Sequence, residues 1–208
     1  RFWKNNTHGE TSLITTQQAR RLRSTHFSFS FVRNPFDRLV AAYNNKILEI
    51  DDVPQPMKRM GLRHNMPFPQ FIETICRCNP DELDNHIRPQ ADMLLTNGLL
   101  VPKFVGRMEH INTHWRRLRR RMKLEGLPTL GKLPRRNVRR KGRSDIADRF
   151  NTPALIDTIL ERYTQDFERF YSFYTVDQLL SGDELEEHAP LQRGAAGARA
   201  RQAVANAS

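Results

Sequence analysis

Between Phe27 and Ile47 the chain changes its hydrophobic period once, and this change constrains the fold more than any other feature. Phe27, Phe29 and Phe31 alternate with Ser28 and Ser30 and end at Val32. Alternation of that kind predicts a β-strand. After Arg33-Asn34-Pro35, the residues Phe36, Val40, Tyr43 and Ile47 recur at helical spacing, which predicts an amphipathic helix of three to four turns. Asn34 suits the cap, Pro35 the first helical position, and Asp37 the first-turn dipole. Strands separated by helices call for an α/β domain with a largely parallel sheet, in which ligands gather beyond the carboxyl ends of the strands. Arg33 stands at that point. A helix start with unpaired N–H groups and a planar, permanently charged fork together make an anion site of phosphate size. Arg38, one turn on, adds to it. The competing, purely structural use of Arg33 is an ion pair with Asp37 or Glu49.

The rest of the chain fits the same plan. Thr15 or Thr16 caps a short helix through Arg23, and residues 51–67, with three prolines, read as a long loop. A short helix covers 68–76, a turn-rich connection covers 79–95, and Lys103–Arg107 is a short buried strand. A helix from Glu109 carries the apolar stripe Ile111, Trp115, Leu118 and Met122 and closes at Gly126. Residues 127–150 read as a basic loop. Thr152 then caps one long helix whose inner face is Ile156, Ile159, Leu160, Tyr163, Phe167, Phe170 and Tyr174. From residue 182 the composition turns to Ala, Gly, Glu and Arg, so 1–181 form the domain and 182–208 a disordered tail.

Charge is concentrated. The chain of 208 residues carries a formal +11. Residues 116–143 hold thirteen Lys and Arg against the single acid Glu125, so the remainder is close to neutral. Such a block attracts polyanions, and its alternative use is a basic nucleic-acid- or polyanion-binding module over 115–143. Trp115 is the only aromatic residue within the block, and no helix-turn-helix, zinc or RNP motif accompanies it, which makes a nucleic-acid partner the weaker choice. Cys76 and Cys78, two residues apart, supply neither a disulfide framework nor a zinc site. No apolar run approaches the roughly 18 residues a membrane-spanning helix needs. His110 and His114 lie four apart on one helix face without an evident third ligand, so they read as surface histidines and no metal is expected.

The string from Phe29 to Ile47 resembles the 3′-phosphate-binding motif of the carbohydrate sulfotransferases, a group that includes chondroitin, dermatan, HNK-1 and uronyl 2-O enzymes. Three further stretches are similar to family segments in the same order. These are His86-Ile87-Arg88-Pro89-Gln90, then Phe104-Val105-Gly106-Arg107 with Glu109, then Tyr163 with Asp166-Phe167-Glu168. The resemblance implies a helix-rich, P-loop NTPase-like parallel sheet flanked by helices. It also implies sulfuryl transfer from 3′-phosphoadenosine 5′-phosphosulfate (PAPS), the co-substrate, to a hydroxyl of a glycan or polysaccharide, without a metal. Arg33 would hold the 3′-phosphate, with Arg38 beside it. Arg139, Arg140 and Lys141 would close over the nucleotide.

Two departures stand out. The family's second 3′-phosphate ligand, a serine, is Ala41 here, and one hydrogen bond to a charged group is worth about 1.5–3 kcal/mol. The family's phosphosulfate loop is absent upstream of Arg33, so the expectation is a chain truncated at its N-terminus, lacking the first strand and inactive alone. His8, in His8-Gly9-Glu10, matches the position of the uronyl enzymes' base segment, and Glu10 stands where a second His would be. His86 and Glu109 are alternative bases, and His86 and Arg88 are candidates for binding the acceptor. The composition leans towards a bacterial, cytoplasmic chain; a eukaryotic relative would sit on the lumenal side of the Golgi membrane.

Overall fold

The structure is a computed structural model and describes residues 14–133, 145–181 and 185–192. His8, Glu10, Arg139, Arg140 and Lys141 lie outside the described residues.

The chain opens with α1 (Thr16–Thr25), capped by a reciprocal pair in which Thr15 Oγ1 accepts from Gln18 N and Gln18 Oε1 accepts from Thr15 N. Strand β1 (Phe29–Val32) follows and runs into α2 (Pro35–Tyr43), which continues through a π-helical turn over Asn44–Leu48. Next come α3 (Gln55–Arg59), α4 (Phe68–Arg77) and α5 (Gln90–Leu94). A small hairpin, β2 (Leu95–Thr96) with β3 (Leu99–Leu100), turns through Asn97 and Gly98, both at positive φ. Strand β4 (Phe104–Arg107) leads into α6 (Ile111–Leu124). The last elements are α7 (Asp145–Arg149), α8 (Pro153–Arg162), α9 (Thr164–Asp166), a π-helical turn (Phe167–Tyr171), α10 (Val176–Ser181) and β5 (Leu191–Gln192).

Among the described residues the main sheet has the order β1-β4-β5, with β1 parallel to β4 and β5 antiparallel to it. The fold is thus helix-rich α/β around a small sheet. The period-2 reading of β1 is right, but the burial is inverted. Val32 is the buried residue, while Phe29 stays 40% exposed. Phe31 is half-buried against Phe104 and Trp115, with ring centroids 6.2 and 6.1 Å away. It pairs with Gly106 across the strands, where an added Cβ would meet the Phe31 ring at 2.3 Å. That close approach is why the Phe-Val-Gly-Arg strand needs its glycine.

The core lies on the other side of β1 and around α2. Phe36, Leu39, Tyr43 and Ile47 pack with Phe68, Phe71, Ile75 and Phe150, all buried. The Tyr43 hydroxyl donates to Met66 O at 2.7 Å, and the Arg149 guanidinium lies over the Tyr43 ring at 4.8 Å. Hydrogen bonding and ring contact let these amphipathic groups enter an aromatic core.

Four expectations need correction. Residues 51–67 contain α3, because Met57 supplies one fully buried anchor between the prolines. Residues 145–149, read as loop, are helix α7, with Ile146 buried. The single long C-terminal helix breaks at Tyr163, whose hydroxyl turns inward to donate to Ile87 O at 2.5 Å. Residues 185–192, read as tail, lie against β4: Leu191 pairs with Val105, and Arg107 donates from Nη1 to the carbonyls of His188 and Ala189. Much of this docking is carried by backbone carbonyls of residues 186, 188 and 189, which leave no mark in the composition.

Candidate active site

The four sequence segments meet at one turn, the step from β1 into α2. Gln90 grips the backbone of Arg33 on both sides: its Oε1 accepts from Arg33 N and its Nε2 donates to Arg33 O, each at 2.8 Å. Gln90 is in turn fixed by Asp166, which is fully buried. The Asp166 carboxylate accepts from Gln90 N (2.9 Å), Ala91 N (2.6 Å) and Gln90 Nε2 (3.2 Å), and so caps α5. Glu109, from the Gly-Arg-x-Glu segment, accepts from Asn34 N at 2.6 Å and from the Tyr171 hydroxyl at 3.1 Å. Asn34 caps α2 by accepting from Phe36 N at 3.1 Å and donates to Leu179 O at 2.7 Å.

Two carboxylates therefore lie buried behind the turn. Burial raises Asp166 and Glu109 above the usual carboxylate range, partly offset by the N–H groups that donate to each. Glu109 is thereby engaged with the Asn34 backbone and Tyr171. Its presence also changes the reading of the helix start: Glu109 and the Asn34 side chain already satisfy the N–H groups of Asn34 and Phe36. A diffusing anion at this turn depends on the Arg33 side chain more than on the helix.

Arg33 forms the ion pair the sequence allows. Its Nε donates to Asp37 Oδ2 at 2.7 Å and its Nη2 to Asp37 Oδ1 at 2.9 Å. The Arg33 side chain nonetheless remains 35% exposed, against 14% for Asp37. The bidentate pair fixes the plane of the fork. Among the described residues nothing accepts from Nη1, so Arg33 combines the structural role with an accessible cationic edge. Glu49 is not its partner in this pair.

The remaining candidates divide. Arg38 sits one turn on in α2, but its guanidinium donates to Arg88 O and Asn85 O at 2.6 Å each, and burial lowers its pKa. It staples the 84–89 loop to α2. Ala41 is half-buried further along the same helix and offers no polar atom. Arg88 donates from Nη2 to Asp81 O. His86 is exposed, with Nδ1 2.6 Å from Asp84 Oδ1. That contact holds Asp84 below the usual carboxylate range. With the proton on Nδ1 facing the carboxylate, Nε2 is left as a lone pair open to solvent.

His114, read as a surface residue, is fully buried. Its Nδ1 accepts from Arg107 N at 2.7 Å, and its Nε2 donates to His188 O at 3.0 Å. Burial pushes it down to about 4. The ring of His110 lies 5.6 Å from that of His114, and its Nε2 is 3.2 Å from the Tyr174 hydroxyl. The stripe on α6 is accordingly His114 and Leu118, with Trp115 half-buried. Trp115 instead donates to Gly131 O at 3.1 Å. Two of the helix's arginines are paired, Arg117 with Glu187 and Arg121 with Glu125, at 2.7 Å each. Arg116, Arg120 and Lys123 are exposed.

A helix-rich α/β domain with an arginine held where a parallel strand runs into a helix is the class of fold the structure shows. Within that class the chain belongs to the sulfotransferase family, whose model matches residues 2–172. No curated protein and no solved structure matches the chain. The family implies a transferase acting on sulfuryl groups. Among the described residues no helix is long and apolar enough to cross a membrane.

Proposed function

We propose that this chain is a PAPS-dependent carbohydrate O-sulfotransferase domain with Arg33 as the clamp for the nucleotide's 3′-phosphate. The observation that carries the reading is the convergence of three separated segments on the backbone of residues 33 and 34, through Gln90, Asp166 and Glu109. Scaffolding of this density around one exposed guanidinium fixes its position before any ligand arrives. Such preorganisation is what electrostatic catalysis requires.

In the proposed reaction a sugar hydroxyl oxygen attacks the sulfur of PAPS. The bond from sulfur to the 5′-phosphate oxygen breaks, and adenosine 3′,5′-bisphosphate leaves. The hydroxyl proton passes to a base. Positioning and charge stabilisation carry most of such a transfer, as for phosphoryl groups. His8 and Glu10 remain candidates for the base by resemblance, and His86, oriented by Asp84, is the candidate whose geometry suits proton acceptance. Arg139, Arg140 and Lys141 are proposed to contact the nucleotide; His86 and Arg88 are proposed on the acceptor side.

The competing polyanion module rests on the exposed Arg116, Arg120 and Lys123. A titration at two salt concentrations separates the two readings. Saturable binding of adenosine 3′,5′-bisphosphate that Arg33→Ala abolishes supports the transferase. Salt-steep binding of unrelated duplex DNA, indifferent to Arg33→Ala, with no bisphosphate binding, contradicts it.

A further inference from the structure

The Arg33 turn gathers more acids than a simple anion clamp needs. Arg33 lends its fork to Asp37 in the bidentate pair, and Arg38, one turn on, lies within electrostatic reach of Asp166. Glu109 is the third acid. Among the described residues no Lys, Arg or His lies within ion-pair distance of it. Two guanidinium groups thus meet three carboxylates around one turn.

Glu109 is also placed where it opposes a ligand. It belongs to the 3-10 turn Met108–His110 that follows β4, and its carboxylate sits on Asn34 N at 2.6 Å, one residue from Arg33. A backbone N–H at the mouth of a helix is the kind of donor an incoming anion takes. A carboxylate resident there and a phosphate on the neighbouring guanidinium repel each other, and an enclosed site screens that repulsion poorly. Nothing facing Glu109 neutralises it. Tyr171 donates a hydrogen bond, Tyr174 lies within electrostatic reach, and Asp37 of α2 adds a like charge. Arg107, on Glu109's own side of the turn, spends its guanidinium on Phe170 O and the carbonyls of His188 and Ala189.

A proton removes the conflict without disturbing the turn. Neutral Glu109 still accepts from Asn34 N through its carbonyl oxygen, and its O–H can donate to the Tyr171 oxygen, since a tyrosine hydroxyl is both donor and acceptor. Burial already holds this carboxyl above the usual carboxylate range.

We propose that the Arg33 turn takes a phosphate monoester only together with one proton, which neutralises Glu109, so that Glu109 makes the grip on the nucleotide fall as pH rises. The inference rests on the nucleotide reading above and adds to it the residue that sets the charge of the site. A phosphate monoester gives up its second proton at about pH 6, so above pH 7 the ligand arrives as a dianion and the proton comes from solvent. The proton then belongs to the carboxylate and phosphate as a pair.

The test is calorimetric titration of the full chain with adenosine 3′,5′-bisphosphate, between pH 7 and 9, in two buffers of different protonation enthalpy. The wild-type chain is expected to take up about one proton on binding at pH 8, and its Kd to rise about tenfold per pH unit, as linkage to one proton requires. Glu109→Gln copies the neutral acid, so it is expected to bind with no Glu109-linked uptake and a Kd that changes less than about threefold over that range. Tyr171→Phe removes a donor that favours the ionised carboxylate, and is expected to tighten binding at pH 8 by about threefold or more. It decides the matter if the first variant does not fold. Wild-type binding without proton uptake, the same uptake in folded Glu109→Gln, loss of binding in that folded variant, or weaker binding by folded Tyr171→Phe overturns the inference and leaves the nucleotide reading standing. A wild-type chain that binds no bisphosphate at any of these pH values refutes both.

Discussion

Gln90→Ala tests whether the Arg33 turn is held as tightly as its contacts imply. The substitution removes two bonds to the Arg33 backbone and one to Asp166, all within 3.2 Å, at a residue that is 5% exposed. A net hydrogen bond contributes about 1 kcal/mol, and a bond to a charged group about 1.5–3 kcal/mol. The three together give a loss of about 3–5 kcal/mol, since Arg33 N and one Asp166 lone pair are left enclosed without partners. For a chain of this size each kcal/mol lowers Tm by roughly 2–4 °C, so the shift is about 6–20 °C. Urea unfolding followed by circular dichroism reads the free energy, with exposed Gln165→Ala as a control expected to stay within about 0.5 kcal/mol. Bisphosphate affinity, measured under conditions where the variant is folded, falls with it because the guanidinium loses its fixed origin. A loss below about 1 kcal/mol with unchanged bisphosphate affinity refutes the reasoning.

Three other outcomes follow from the same structure. His114 is buried neutral and titrates at about 4 instead of 6.5, so the unfolded chain binds the proton first, and stability falls as pH drops from about 6.5 towards 4. The full effect is about 3 kcal/mol, whereas the raised Asp166 and Glu109 act in the opposite direction over acid pH. His114→Asn keeps an acceptor for Arg107 N and flattens the loss; an unchanged pH profile of unfolding contradicts this. Gly106→Ala drives a methyl into the Phe31 ring and costs about 1–3 kcal/mol, measured by thermal unfolding; Phe31→Ala in the same chain relieves that clash. In a chain that carries the phosphosulfate loop, His86→Ala slows sulfuryl transfer by about 10²-fold or more at saturating PAPS, and Asp84→Asn by less; equal rates in all three proteins remove His86 as the base.

The sequence made the β1–α2 step legible because two hydrophobic periods meet there across a cap and a proline. It also placed Phe104–Arg107 and the helix from Ile111, each of which carries its own period. Burial was less legible. The phenylalanines of β1 advertised a buried face, yet Val32 on the other face enters the core, because α6 covers the aromatic side only in part. His114 and Asp166 were missed as buried groups for a common reason: their partners are backbone atoms of Arg107, His188, Gln90 and Ala91, and backbone atoms have no residue signature. Asp166 was visible only as one letter of the Tyr-x-x-Asp-Phe-Glu stretch, and its capping role required knowing that α5 starts against it. Gln90 likewise stands out in the sequence only as part of a segment, and the two bonds that give it a function are not legible there.

The central claim is that the Arg33 guanidinium grips a 3′-phosphate, and a difference of affinities isolates it. Titrating the wild-type chain with adenosine 3′,5′-bisphosphate and with adenosine 5′-monophosphate gives the contribution of the 3′-phosphate alone. A charge-assisted bidentate contact predicts a preference of at least tenfold for the bisphosphate, and a ratio near one after Arg33→Ala. A preference that survives Arg33→Ala intact, or a wild-type chain that binds both nucleotides equally, contradicts it.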